Sequence, residues 1–217
     1  MENTVFYFFS FFVEAIVLWQ YASNLFDVRH RPRTNLAVLC SLYLFLFSVS
    51  LFESKWINMV LYLFINFIYL LTQCRLKWNS AFFHSTILAA VMGMCELMVY
   101  SIIERFTPHF FTEEGYLHNT IIFAIFSKIM FFTVIYVLIQ LLKGRQKCNQ
   151  RPDKSAFLLV FIPITSVFIM LTFVNISETD TLSLSLYWMV VLSAILLLIA
   201  NLLVFGINQY NQRKSIE

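Results

Sequence analysis

Seven long apolar segments occupy nearly the whole chain of 217 residues, and each is close to the roughly 20 residues that cross a bilayer as an α-helix. The segments are residues 4–25, 34–52, 56–74, 81–104, 119–142, 155–175 and 183–208. The chain is 60% hydrophobic, which is more than a soluble domain of this length can bury. We therefore predict an all-α, polytopic membrane helix bundle with seven transmembrane helices, since helices satisfy their own backbone groups in hydrocarbon.

Basic residues lie in alternate loops, and this pattern predicts the orientation. The loops after the first, third, fifth and seventh segments hold most of them: Arg29, Arg31, Arg33, Arg75, Lys77, Lys143, Arg145, Lys147, Arg151, Lys154, Arg213 and Lys214. The other loops hold only Lys55 and Arg105. The positive-inside rule then places the amino terminus outside and the carboxyl terminus in the cytoplasm. The first segment has neither the basic start nor the cleavage site of a secretory signal, so we expect it to be retained.

Three charged residues lie inside the apolar segments: Glu14, Glu96 and Lys128. A charge at the centre of a bilayer costs about 2.5–3.5 kcal/mol even on insertion scales, so such residues usually have partners and functions. At 1.5 Å per residue, all three lie roughly 12–15 Å below the outer surface. Three separate helices thus place their charges in one layer, and we predict an ion-paired cluster.

Two carboxylates in this cluster face one ammonium. One glutamate is then protonated, or the two share a proton, or the site awaits a cationic ligand. The sequence leaves these alternatives open. It also leaves open whether the cluster serves ligand response and coupling, or only fixes the helix register.

Polar residues at helical spacing extend the candidate ligand and coupling site. Tyr7 shares a helix face with Glu14, Asn66 belongs to a polar stripe in the third segment, and Tyr100 follows Glu96 by one turn. Tyr116 lies in the longest outer loop, within the aromatic and acidic run RFTPHFFTEEGY, together with Phe110 and Phe111. Such stripes are more often contacts between helices than binding sites.

The last segment has a polar pattern of its own. Asn201 and Asn208 are seven residues apart, which suits one seam of a dimerising output helix that continues into the cytoplasm. An ordinary frayed tail with basic anchors fits the same residues. We place the transmembrane, sensor-like domain at residues 1–208 and the start of a cytoplasmic helix at residues 209–217.

Catalytic and metal-binding motifs are missing. No histidine has metal-ligand spacing, no CxxC pair is present, and neither a P-loop nor a GxSxG motif occurs. We therefore predict no catalytic residue, no metal, no cofactor and no enzyme activity. No basic face suggests nucleic acid. The conceivable nucleophile pair is Cys148 with His84, both near the cytoplasmic side, and the cysteines are otherwise expected to be free thiols.

Three stretches carry a family resemblance: FFVEAIVLWQYASNLF, GMCELMVYSIIERF and LLLIANLLVFGINQYNQRKSIE. A basic turn follows the first of them. With them the chain resembles the membrane sensor half of peptide-sensing histidine kinases of the accessory-gene-regulator type. The resemblance implies a multi-pass protein of the bacterial plasma membrane, a secreted peptide ligand and a homodimer. Glu14 and Glu96 match acidic positions of that pattern. The kinase domain that would follow the last helix is absent from these 217 residues.

Three functions remain in competition. The first is a receptor that detects an outer peptide and relays the signal through the last helix. The second is a small secondary transporter or channel that uses Glu14, Glu96 and Lys128, although no inverted repeat is visible. The third is a membrane peptidase or peptide exporter that would depend on Cys148 and His84.

Overall fold

The described part of the chain is helical apart from short connections. The computed structural model describes residues 2–50, 55–107, 116–142, 162–166, 169 and 184–214. Its named helices are α1 (Glu2–Leu25), α2 (Pro32–Ser50), α3 (Lys55–Gln73), α4 (Trp78–Phe106), α5 (Tyr116–Leu142) and α6 (Leu184–Lys214). Residues 162–166 and 169, in the sixth apolar segment, are also helical. Over these residues the all-α prediction is confirmed.

Three of these helices are long and apolar enough to cross a membrane. They are Pro32–Ser50, Trp78–Ile103 and Asn119–Gln140, which overlap the second, fourth and fifth predicted segments. Two shorter apolar stretches, Ile57–Gln73 and Val191–Val204, belong to the third and seventh. A membrane-protein character is therefore supported. The full count of seven spans and their orientation go beyond this finding and stay predictions.

Helix α4 lies at the centre of the bundle. It contacts α3, α5 and α6, whereas α1 contacts α2 and α5. Every residue from 83 to 95 of α4 is buried, and several of them are small, including Ala89, Ala90 and Cys95. Small residues let neighbouring helices approach closely, and in a membrane this close contact replaces the hydrophobic effect as the source of association.

The outer surface of the bundle is apolar. Large hydrophobic side chains on α1, α2, α5 and α6 are more than half exposed: Phe8, Phe12, Leu44, Phe45, Phe126, Ile129, Leu196 and Leu203. A contiguous surface of this kind would be an aggregation liability in water. It suits contact with lipid tails, since hydrocarbon imposes no cost on exposed apolar groups.

The connections α1–α2 and α3–α4 are joined at one end of the bundle. Val28 and Cys74 form an isolated antiparallel bridge. The backbone N–H of Arg29 donates to the carbonyl of Gln73 at 2.7 Å, and that of Arg75 donates to the carbonyl of Asp27 at 3.0 Å. These bonds satisfy backbone groups at the ends of α1 and α3, and they fix two loops that are far apart in the sequence.

Candidate ligand and coupling site

Lys128 of α5 joins two acidic side chains from different helices. Its Nζ atom lies 2.5 Å from Oε1 of Glu14 on α1 and 2.5 Å from Oε1 of Glu96 on α4. The structure therefore confirms that the three charges meet, as their depth in separate segments predicted. We refer to Glu14, Glu96 and Lys128 as the charge triad.

The members of the triad differ in exposure. The side chains of Lys128 and Glu14 are each 3% exposed, while that of Glu96 is 36% exposed. Glu96 is therefore the member of the triad whose side chain is partly open to an external group, while Lys128 and Glu14 are buried. This difference makes α4 the accessible side of the triad.

The buried carboxylate of Glu14 is incompletely satisfied. Its Oε1 atom accepts from Lys128 and from the Ser10 hydroxyl, which lies one turn earlier on α1 at 3.3 Å. Among the described residues, its Oε2 atom has no hydrogen-bond partner. Two carboxylates against one ammonium leave the ionised triad with a net negative charge, and a dry interior makes such an excess expensive.

A second polar group borders the triad on the side of α2 and α3. The Tyr43 hydroxyl donates to Oδ1 of Asn66 at 3.1 Å, and both residues are buried. Tyr62 lies beside this pair and interacts electrostatically with Glu14 and Glu96. The structure thus places the predicted Asn66 near the triad. The pair of Tyr43 and Asn66 adds α2 and α3 to the helices around the triad, since α2 packs on α1 and α3 packs on α4.

Tyr43 is a site residue that the sequence interpretation missed. Its segment is mostly apolar, and the sequence interpretation did not connect Tyr43 with the other polar residues of α2. A signal was nevertheless present: the buried residues of α2 are Asn35, Leu39, Tyr43, Leu46 and Ser50. They are spaced at three or four residues and define the inward face of that helix.

Aromatic residues lie along α1 and α4 near the triad. Tyr100, one turn beyond Glu96, packs edge-to-face against Phe123 of α5, with ring centroids 6.4 Å apart. Tyr7 is half-buried and stacks on Phe11, with centroids 6.1 Å apart. The predicted contacts at Phe110 and Phe111, and the side chain of Tyr116, lie outside the described residues.

The triad is linked to the last helix through α4. Leu97 and Met98, which directly follow Glu96, form a buried apolar cluster with Met59 of α3 and Ala194 of α6. A displacement of α4 at Glu96 therefore acts directly on α6. This cluster is one described contact between the neighbourhood of the triad and the carboxyl-terminal helix.

The structure gives Asn201 a partner inside the chain. Its Nδ2 atom donates to the Ser166 hydroxyl at 2.8 Å and to the backbone carbonyl of Leu197, and the residue is fully buried. Asn201 therefore packs α6 against the sixth segment within one chain. The dimer seam stays a prediction for Asn201 and for Asn208, whose side chain lies outside the described residues.

His84 lies in a separate buried cluster. Its Nδ1 atom is 2.8 Å from the Tyr21 hydroxyl, and the Phe26 ring packs edge-to-face on the imidazole with centroids 4.8 Å apart. These contacts make His84 an internal residue that ties α4 to α1. Cys148, the other half of the conceivable nucleophile pair, lies outside the described residues.

The described cysteines are free thiols, with Cys74 and Cys95 buried and Cys40 exposed. Within the described residues, no group of three His, Cys, Asp or Glu side chains could hold a metal ion. Comparisons of the chain with protein-family models, with curated proteins and with solved structures found no match.

Proposed function

We propose that the chain is the sensor domain of a multi-pass receptor in the bacterial plasma membrane. It detects a secreted peptide at its outer face and relays the signal through α6 to a cytoplasmic dimerising and kinase module. The proposal includes seven spans, an outer amino terminus and a homodimer. The observation that carries it is the charge triad, in which three helices share one ion cluster and one acidic side chain is partly exposed.

A cluster of this kind suits a two-state device. Ion pairs in a poorly hydrated interior are either made or broken, because intermediate separations cost much more than they do in water. A peptide shifts the equilibrium only if it binds one arrangement more tightly than the other. Contact with the accessible Glu96 supplies such a difference, since it competes with Lys128 for the same carboxylate.

The output step follows the packing of α4. Because Leu97 and Met98 contact Ala194, a change in the pairing of Glu96 moves side chains that lie against α6. Helix α6 continues to Lys214, beyond the apolar stretch Val191–Val204, so it extends out of the membrane. It is therefore the element suited to carry a movement to a domain in the cytoplasm.

Glu96→Gln tests this proposal. We expect the variant, fused after residue 217 to a reporter kinase, to change its ligand-free output about fivefold or more, since coupling free energies between sites are typically about 1–3 kcal/mol. The reason is that the neutral amide weakens the link between α4 and α5 without removing side-chain volume. Phosphorylation of the reporter is measured against the amount of protein in the membrane.

Asp27→Asn is the matched control, because it neutralises an exposed carboxylate at the end of α1, away from the triad. It should leave the output unchanged. Equal output from the wild type, Glu96→Gln and Asp27→Asn, together with no response of the wild type to synthetic cyclic peptides or culture supernatants, would refute the sensor proposal.

A proton-coupled transporter is the second candidate, and the excess carboxylate favours it. Oε2 of Glu14 is buried without a hydrogen-bond partner among the described residues, and intramembrane acidic groups of this type serve as proton relays in carriers. We then expect the wild type to move protons into liposomes under an imposed potential and Glu14→Gln to abolish the flux. A wild type no more permeable to protons than empty liposomes rules this candidate out.

A further inference from the structure

We propose that the paired loops 26–31 and 74–77 form a binding site for the headgroup of an anionic phospholipid. The site does not depend on the sensor or transporter proposals. It rests on how the backbone brings together two loops that are about 50 residues apart in the sequence. The exposed basic residues Arg29, Arg31, Arg33, Arg75 and Lys77, referred to here as the basic face, belong to these loops or to the adjoining first turn of α2.

The bridge between the loops determines which side chains face outward. Cys74 is fully buried and lies opposite Val28, so this pair points toward the bundle. Arg29 and Arg75, which directly follow the bridged residues, are both exposed, so each loop places an arginine outside the bundle. The backbone N–H of Arg29 donates to the carbonyl of Gln73 at 2.7 Å, so Arg29 lies against the other loop.

The basic face carries a concentrated charge. Its five cationic residues are all exposed, and Asp27 is the acidic residue that accompanies them, for a net charge of +4 with neutral histidine. A single loop would supply about half of this charge. Because backbone bonds hold the two loops together, a phosphate can contact guanidinium groups from both.

Two further features suit an anion. Helices α2 and α4 both begin beside the basic face, and the positive ends of their dipoles point toward it. Lys77, the residue before α4, gives that helix no side-chain cap, which leaves amides of its first turn for an external acceptor. Trp78, the first residue of α4, is 60% exposed, and tryptophan at the end of a spanning helix is typical of the headgroup region.

The position of the face selects a lipid over a soluble anion. Helices α2 and α4 are two of the three helices long enough to cross a membrane, and the face lies at the start of both. Its side chains are therefore at the level of the phosphates. Guanidinium groups make bidentate contacts with phosphate oxygens, and about 1 kcal/mol per basic residue attracts such segments to anionic lipid.

Native mass spectrometry of the purified chain tests the proposal. The protein is presented with equal amounts of phosphatidylglycerol and phosphatidylcholine of the same acyl chains. We expect phosphatidylglycerol to bind preferentially and to raise the thermal stability. Arg29→Gln/Arg75→Gln should weaken this binding about 25-fold, or about fivefold for each charge removed.

Lys55→Gln/Arg105→Gln is the matched control, because it removes two charges at the opposite ends of α3 and α4. It should bind phosphatidylglycerol as the wild type does, and Arg29→Lys/Arg75→Lys should retain most of the binding. The proposal fails if both Gln double variants lose binding equally, if neither loses it, or if the two lipids bind alike. It also fails if inorganic phosphate alone stabilises the wild type as much as phosphatidylglycerol does, since the site would then be one for a free anion.

Discussion

Lys128→Met should lower the free energy of unfolding by about 3–5 kcal/mol, as expected when one partner is removed from a buried ion cluster. The substitution keeps most of the side-chain volume and leaves the carboxylates of Glu14 and Glu96 facing each other without a cation. Glu14 cannot reach water, because its side chain is 3% exposed. The loss is measured by titration with sodium dodecyl sulfate in mixed micelles, with helix content followed by circular dichroism.

The triple variant Glu14→Leu/Glu96→Gln/Lys128→Met separates charge from packing. It removes all three charges at similar volume, and buried ion clusters replaced in this way often leave stability unchanged or higher. We expect it to unfold within about 1 kcal/mol of the wild type. A Lys128→Met variant as stable as the wild type would contradict the prediction, because the carboxylates could not then depend on Lys128 for charge compensation.

The triad could be predicted from the sequence because charges are rare in apolar segments. Only three were present, and the rise per residue of a helix placed all of them at one depth. Equal depth is enough to predict pairing when a layer of the membrane holds few charged groups, since an unpaired charge has a high free energy in that layer. It does not say which helices are neighbours. The accessibility of Glu96 and the contact of Tyr43 with Asn66 therefore required the structure.

Other features have sequence signals with more than one physical solution. The seven-residue spacing of Asn201 and Asn208 suits a dimer seam and an internal contact equally. In the structure, Asn201 donates a hydrogen bond to Ser166. His84 and Tyr21 lie 63 residues apart, and nothing in either segment specifies their hydrogen bond. The two basic loops likewise meet because the ends of α1 and α3 lie side by side. The spacing of residues within one segment does not predict such a contact between segments.

The sequence predicts a membrane environment from composition, and the exposed surface agrees with that environment. Phe126 and Ile129 of α5 are each 58% exposed, while Phe131, two residues after Ile129, is fully buried. A soluble helix would place polar residues on the exposed side. In α5 both sides are apolar, so the hydrophobic pattern alone does not indicate which side faces the bundle, and Lys128 is the residue that marks it.

Phe131→Ala should lower the free energy of unfolding by about 3 kcal/mol, near the lower end of the usual range for buried phenylalanine. Phe131 lies one turn after Lys128 on the same face of α5, where Ile135 and Leu138 continue the buried stripe. Its removal opens a cavity directly next to the triad. The value is at the lower end because the Phe131 ring contacts lipid, and not water, once the helices have separated. The loss of stability therefore comes from the missing contacts in the packed bundle.

Phe126→Ala makes the same chemical change on the exposed side of the same helix, and it should alter the free energy of unfolding by about 0.5 kcal/mol or less. Both variants are measured in the same mixed micelles as Lys128→Met. Because the cavity lies beside the residue that carries the ammonium, Phe131→Ala combined with Lys128→Met should cost less than the two single losses added together, since neighbouring sites couple. Equal losses for Phe131→Ala and Phe126→Ala would contradict the assignment of the buried face of α5, and with it the direction from which Lys128 reaches Glu14 and Glu96.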